Sequence, residues 1–258
     1  MDKFTFNKTS QWKINKFFTS FSINNFLLLT TTKELINQKV FPEENNKSII
    51  PFISKEKSFA LLSFLTLYAE KFKNKTILMS EQIHSNRVIY VKQQDTECFS
   101  SKLQVGEFVF SYKLFLKTDG IITDSLDDII VIFTADCIPL FIIDNKNKIF
   151  GLLHIGRKGL QLGIIENLLK KLSLLPHFSL KDTVFVAGPH ICEKCYIVDG
   201  KNFSLFNLLY NQLTFFNIRP SQIFNSHICT FHNKKFFSYR RDATEHRMLS
   251  IISYFCGS

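Results

Sequence analysis

With 258 residues the chain has room for one large domain or two small ones, at roughly 150 residues per domain. Hydrophobic residues make up 45% and charged residues 21%, ordinary globular values that exclude a disordered or fibrous chain. Lys and Arg outnumber Asp and Glu by 32 to 22, but 26 of the 32 are lysines scattered through a Phe-, Asn- and Ile-rich sequence, so the charge does not by itself mark a polyanion-binding face.

The N-terminal segment carries lysines but no following apolar block and no small-residue cleavage site, unlike a secretory signal, so the cytoplasm is the expected compartment. Residues 1–55 are irregular, with polar, turn-like stretches at 30–33 and 42–47 that leave room for two short strands and a hairpin. Over residues 57–72, Phe59, Leu62, Leu65 and Tyr68 recur at helical spacing and predict an amphipathic helix. Strands are predicted at 76–79 and 87–92, flanking a loop that carries His84, and residues 93–117 read as a loop and a strand.

The middle of the chain is the most legible part. Apolar, β-rich runs at 129–133, 140–143 and 149–154 predict buried strands, the last two joined by a turn at 144–148. The run 129–143 is interrupted by Thr134, Asp136 and Pro139, so it falls short of the roughly 20 apolar residues of a membrane span. Leu160, Ile164, Ile165, Leu168, Leu169 and Leu172 predict a helix ending near Pro176. A strand at 183–187 then runs into Gly188 and Pro189, and helices follow at 202–215 and 242–255. This interleaving predicts an α/β protein, a mixed-sheet sandwich in a single domain over residues 1–258, and the absence of a GxGxxG motif gives no support to dinucleotide binding.

Three residues able to bind a metal stand where predicted strands end: His84, Cys137 and His154. Their separations match no zinc-finger spacing, and a strand-end His or buried Cys is ordinarily core. A catalytic zinc, however, takes three N or S ligands and keeps one position open, and thiolate and imidazole suit zinc and copper alike. The six cysteines are too sparse for a disulfide scaffold. Of the six arginines three, Arg240, Arg241 and Arg247, fall within eight residues; a guanidinium fork for phosphate or carboxylate and a structural pairing with Asp242 or Glu245 are both open there.

The segments QIHSNRVIYV (82–91), TDGIITD (118–124), TADCIPLFIID (134–144), LLHIGRKGL (152–160), GPHICEKCYIVD (188–199) and FFSYRRDATEHRM (236–248) occur in an order and approximate spacing that resembles the laccase-domain or YfiH-like family, over roughly residues 20–255. The resemblance implies a single α/β domain with its site among loops at one end of the sheet. It also implies a zinc-dependent purine nucleoside enzyme, despite the family's polyphenol oxidase name, with metal ligands on His84, Cys137 and His154. The chain departs from the family's AHAGWRG, placing Arg157 and Lys158 in LHIGRKG, and from its TGRM, placing Glu245 and His246 before the retained Arg247. Lys keeps the charge of an arginine but loses its fork.

A multicopper oxidase needs many histidines, and the seven here form no HxH pairs, which argues against a four-electron oxidase while leaving oxidation at a single copper open. Cys192 and Cys195 form a CxxC that reads as a redox pair, half a zinc site or neither; with no second half-site visible, no role is assigned. Asp119 and Asp136 are candidate acid/base groups, or caps and orienters of a metal-bound histidine. Gln82, two residues before His84, shares its face if that segment is extended.

The expected catalytic residues are therefore Asp119, Lys158 and Arg247, and the expected substrate-binding residues Gln82, Arg157 and Arg240. Zinc is the expected cofactor, with copper as the alternative. The expected reactions are phosphorolysis of adenosine-, inosine- or guanosine-type nucleosides and methylthioadenosine, or deamination of adenosine. The alternatives are an editing hydrolase of peptidoglycan precursors, a copper-dependent polyphenol oxidase, and a basic nucleic-acid-binding module without activity. The expected partners are a nucleoside and phosphate, with neither membrane nor nucleic acid, on a monomer or weak oligomer.

Overall fold

The computed structural model describes residues 12–23, 25–36, 50–92 and 97–255. Among them an eight-stranded sheet runs, edge to edge, Lys13–Ile14, Phe18–Ile23, Phe26–Thr31, Met248–Tyr254, Asp128–Thr134, Thr76–Ser80, Phe108–Phe115 and Cys98–Val105. A six-stranded sheet runs Ile223–Asn225, Thr183–Ala187, Ile138–Asp144, Ile149–Ile155, Gly120–Thr123 and Val88–Tyr90. Both mix parallel and antiparallel pairs: Thr76–Ser80 is parallel to both its neighbours, whereas Ile138–Asp144 is antiparallel to both of its own.

The period-2 alternation of strand side chains sets the layers. In Asp128–Thr134, Ile129, Val131 and Phe133 pack on one side with Leu61, Phe64 and Leu65 of the helix Lys55–Phe72, while Ile130 and Ile132 face the other sheet. In Ile138–Asp144, Phe141 and Ile143 join that shared layer, while Ile138, Leu140 and Ile142 pack with the helices Ile164–Ser173 and Leu205–Phe215. The result is a mixed α/β fold of two sheets packed face to face with helices on both outer faces. No helix among the described residues is long and apolar enough to cross a membrane.

Most of the expected elements are present within two or three residues of the expected bounds, and the differences have physical causes. The segment expected to be a helix over 242–255 is instead one helical turn, Tyr239–Asp242, followed by the strand Met248–Tyr254. Every residue of that strand is buried, between Phe26–Thr31 and Asp128–Thr134, and a run apolar on both faces has no periodicity to separate helix from strand. The helix expected from Leu160 onward is two, Arg157–Gln161 and Ile164–Ser173, broken at Gly163 with φ of 85°. Within 93–117 lies a full hairpin, Cys98–Val105 against Phe108–Phe115, whose outward Ser100, Lys102 and Gln104 dilute the apolar signal. Thr30 and Thr31, expected in a turn, are buried in a strand: Thr30 Oγ1 lies 2.9 Å from Ser250 Oγ, and Thr31 Oγ1 accepts from Leu249 N. The turn expected at 42–47 lies outside the described residues.

One consequence of this topology builds the site. The chain leaves the eight-stranded sheet at Thr134 and enters the six-stranded sheet at Ile138, so residues 135–137 form a corner between the sheets. The register brings His154 and Gly120 to the same end, and Ser80 ends its strand there too.

Candidate active site

After Ser80 the chain turns through Gln82 and His84, both in the left-handed region (φ 62° and 60°) that residues other than glycine seldom occupy. Asp119, fully buried at the start of Gly120–Thr123, sustains this turn. Its carboxylate accepts the backbone N–H groups of Ile83, His84 and Ser85 at 3.2, 3.0 and 2.6 Å, and the Ser85 hydroxyl at 2.8 Å. Oδ1 also lies 2.8 Å from His154 Nδ1. Burial works against ionisation of Asp119, but His154 and then Ser85 outweigh it and hold the carboxyl below its usual range. The ionised Asp119 thus fixes the proton of His154 on Nδ1 and leaves Nε2 as the donor to a metal.

Cys137 closes the corner between the sheets. Its neighbour Asp136, with φ of 88°, accepts Thr230 Oγ1 at 2.7 Å and the Arg240 N–H at 2.8 Å. Cys137 Sγ is 3.9 Å from His84 Nε2, and the His84 and His154 rings meet edge to face with centroids 4.6 Å apart. The ligand atoms of His84, Cys137 and His154 all lie within 4.8 Å of one another. Burial opposes the Cys137 thiolate, but His154 and His84 reverse that and bring its pKa down to about 6. Burial likewise opposes the His154 cation, and Cys137 and Asp119 raise its pKa to about 9. Gly156 makes space for the cluster: a Cβ there would stand 2.9 Å from His84 Cδ2 and 3.3 Å from Cys137 Sγ.

These residues fit a metal ion. Two imidazoles and a readily ionised thiol form a borderline-soft set, a carboxylate orients one imidazole, and three protein ligands leave a position open. The same donors suit copper.

The open side faces a cavity of about 490 Å3, within the ~300–1,000 Å3 of small-molecule sites. His84, Cys137 and His154 lie in its wall together with Phe133, Tyr196, Leu205, Tyr239, Arg240, Glu245 and Arg247. The arginine trio divides. Arg240 sets its guanidinium 4.9 Å over the Tyr196 ring, and Arg247 donates to the carbonyls of Thr244 and His246 with Glu245 at 3.9 Å, both in the cavity wall. Arg241 instead donates to the carbonyls of Thr230, Phe231 and Phe236 and to Asp242, a structural role.

Other expected residues stand apart from this wall. The Gln82 amide is buried and bonded to both backbone groups of Phe133. Arg157 and the exposed Lys158 begin the helix Arg157–Gln161, outside the cavity lining. Tyr196, Tyr239 and Phe133 carried no signal in the sequence because nothing local distinguishes a cavity aromatic from a core one. Lys57 was equally silent: it lies 5.7 Å over the Phe133 ring, and burial, then Arg247, lowers its pKa.

A family model described as multi-copper polyphenol oxidoreductase laccase matches residues 64–206 and 199–254. The chain is 32% identical over 184 residues to a purine nucleoside phosphorylase of Borreliella burgdorferi, covering 61% of this chain and 75% of that protein. It is 27% identical over 240 residues to a purine nucleoside phosphorylase of Haemophilus influenzae, covering 81% and 90%. Its fold is similar to YlmD from Geobacillus stearothermophilus, with a TM-score of 0.70 and 18% identity over 95% of this chain and 99% of that one. It is equally similar to the Bacillus licheniformis hypothetical protein YfiH, with a TM-score of 0.70 and 19% identity over 93% and 97%. The strand-end residues, the sheet topology and these matches agree: the chain belongs to the multi-copper polyphenol oxidoreductase laccase family of YfiH-like proteins.

Proposed function

We propose that the protein is a purine nucleoside phosphorylase acting at the cavity above His84, Cys137 and His154. The observation that carries this reading is that one cavity joins three candidate metal ligands, two guanidinium groups and an aromatic wall. Relatives named purine nucleoside phosphorylase support it.

In this reading Arg240 and Arg247 hold inorganic phosphate by paired, charge-assisted hydrogen bonds, and Tyr196 and Tyr239 flank the purine. A phosphate oxygen forms a bond to ribose C1′ as the C1′–N9 bond breaks, and the base departs with the electron pair and takes up a proton. A zinc ion, when bound, supplies Lewis-acid polarisation of a substrate atom. Asp119 acts through His154 as a positioning residue, since all its hydrogen bonds are directed into the protein. Lys158 and Arg157, outside the wall, have no part in phosphate binding in the conformation described.

The test is turnover of adenosine, inosine, guanosine and methylthioadenosine with and without phosphate. Release of free base and ribose 1-phosphate that requires phosphate is the expected result. Conversion of adenosine to inosine at a rate indifferent to phosphate replaces phosphorolysis by deamination, and no turnover of any nucleoside overturns the reading.

A further inference from the structure

Cys192 and Cys195, to which no second half-site is assigned from the sequence, acquire one in the structure. The turn Cys229–His232, 34 residues beyond Cys195, brings a third thiol and an imidazole beside them, and all four ligand atoms lie within 4.8 Å of one another. Cys195 Sγ is 3.1 Å from His232 Nε2, and Cys192 Sγ is 3.8 Å from His232 Nδ1. All three cysteines are free thiols.

We propose that Cys192, Cys195, Cys229 and His232 form a second metal site, a structural Cys3His zinc site separate from the His84, Cys137 and His154 cluster. A tetrahedral zinc with bonds of ~2.3 Å to sulfur and ~2.0–2.1 Å to nitrogen spaces its donors roughly 3.6–3.8 Å apart. Donors already gathered within 4.8 Å reach that spacing by small side-chain adjustments.

The backbone is shaped for the same purpose. Cys192 precedes a one-turn 3-10 helix, Glu193–Cys195, in which the N–H groups of Cys195 and Tyr196 both donate to the Cys192 carbonyl at 3.1 Å. The Cys192 N–H donates across to Cys229 Sγ at 3.3 Å, a bond that strengthens when the sulfur is a thiolate. A single parallel β-bridge between His190 and Cys229 joins the segments, His190 N–H donating to the Ile228 carbonyl and Thr230 N–H to the His190 carbonyl. Two Cys-x-x-ligand turns thus face each other across a paired backbone.

Loading releases three thiol protons and leaves zinc with three thiolates at net charge −1. Arg241, which also pairs with Asp242, bonds the Thr230 and Phe231 carbonyls inside the Cys229–His232 turn and so places a positive group beside these thiolates. Four protein ligands fill the coordination sphere, so this ion is structural. Its place defines what it supports: Ile191 and Tyr196, flanking the Cys-x-x-Cys turn, are in the cavity wall, and the Ile191 N–H donates to the Asp136 carbonyl next to Cys137. The second ion pins the cavity wall to the corner that presents the first.

Zinc is counted per chain on protein purified under reducing, chelator-free conditions, with Cys137→Ala, Cys195→Ser and His232→Ala beside it. The expected counts are two for the wild type and one for each variant, with Cys195→Ser and His232→Ala also melting at lower temperature. Cobalt substitution of Cys137→Ala is expected to show sulfur-to-metal charge transfer of three-thiolate intensity, a readout that stands even if the cysteine-cluster variants fail to fold. One zinc in the wild type and none in Cys137→Ala overturns the proposal, as does a disulfide among Cys192, Cys195 and Cys229 in the reduced preparation. Because the readouts are metal content and spectra, the result is independent of the nucleoside reading.

Discussion

Asp119 and His154 are joined twice: the carboxylate lies 2.8 Å from the ring Nδ1, and the Asp119 carbonyl accepts the His154 backbone N–H at 2.7 Å. The same carboxylate organises the His84 turn, so one buried charge orients two of the three candidate ligands. Asp119→Asn removes that charge at nearly constant shape. Measured by chelator competition in a Cys195→Ser background, metal affinity at the His84 site is expected to fall by about 10–100-fold, the usual cost of losing an outer-shell partner. Unchanged affinity would show that Asp119 does not position these ligands.

Gly156 tests the same site sterically. A methyl group there presses on His84 Cδ2 at 2.9 Å and on Cys137 Sγ at 3.3 Å. Ligand positions have to hold to about 0.5 Å, so Gly156→Ala is expected to lose metal and turnover together while circular dichroism and the thermal melt stay close to wild type. Wild-type metal content in this variant contradicts the crowded geometry.

The division of the arginines predicts two phenotypes. Arg240→Ala is expected to raise the KM for phosphate roughly 10–100-fold, the equivalent of one lost charge-assisted hydrogen bond, with little change in the melt. Arg241→Ala strips the Thr230, Phe231 and Phe236 carbonyls of a shared donor and is expected to cost about 2–3 kcal/mol of stability in denaturant titration. The opposite assignment of phenotypes would reverse their roles.

Asp242 gives a pH dependence with a definite sign. Hydrogen bonds from Arg241, outweighing some loss of hydration, and from Lys33 hold its carboxyl well below the usual range. A depressed folded-state pKa stabilises fully above the unfolded carboxylate value near 4, and the contribution fades as pH falls through the folded value. The melting-temperature gap between wild type and Asp242→Asn is therefore expected to be constant above about pH 5 and to shrink below about pH 4. A gap that widens on acidification rules this out.

The sequence by itself determined the local elements. Short apolar, β-rich runs bounded by turn residues mark the strands found at Asp128–Thr134, Ile138–Asp144 and Ile149–Ile155, and a period-3.6 apolar pattern marks the helix Lys55–Phe72, because segment length, β-branched content and flanking turns are all local properties of the chain. It also put His84, Cys137 and His154 at element ends, and the six ordered motifs identified the family. Only the tertiary structure decided whether 248–254 is helix or strand, since a segment buried on both faces owes its state to the neighbours it pairs with. Tertiary structure alone divided the arginines, turned Gln82 away from the cavity and joined Cys192 and Cys195 to Cys229 and His232. Those relationships span tens of residues and depend on strand register and on the corner between the sheets, which no local pattern in the chain encodes.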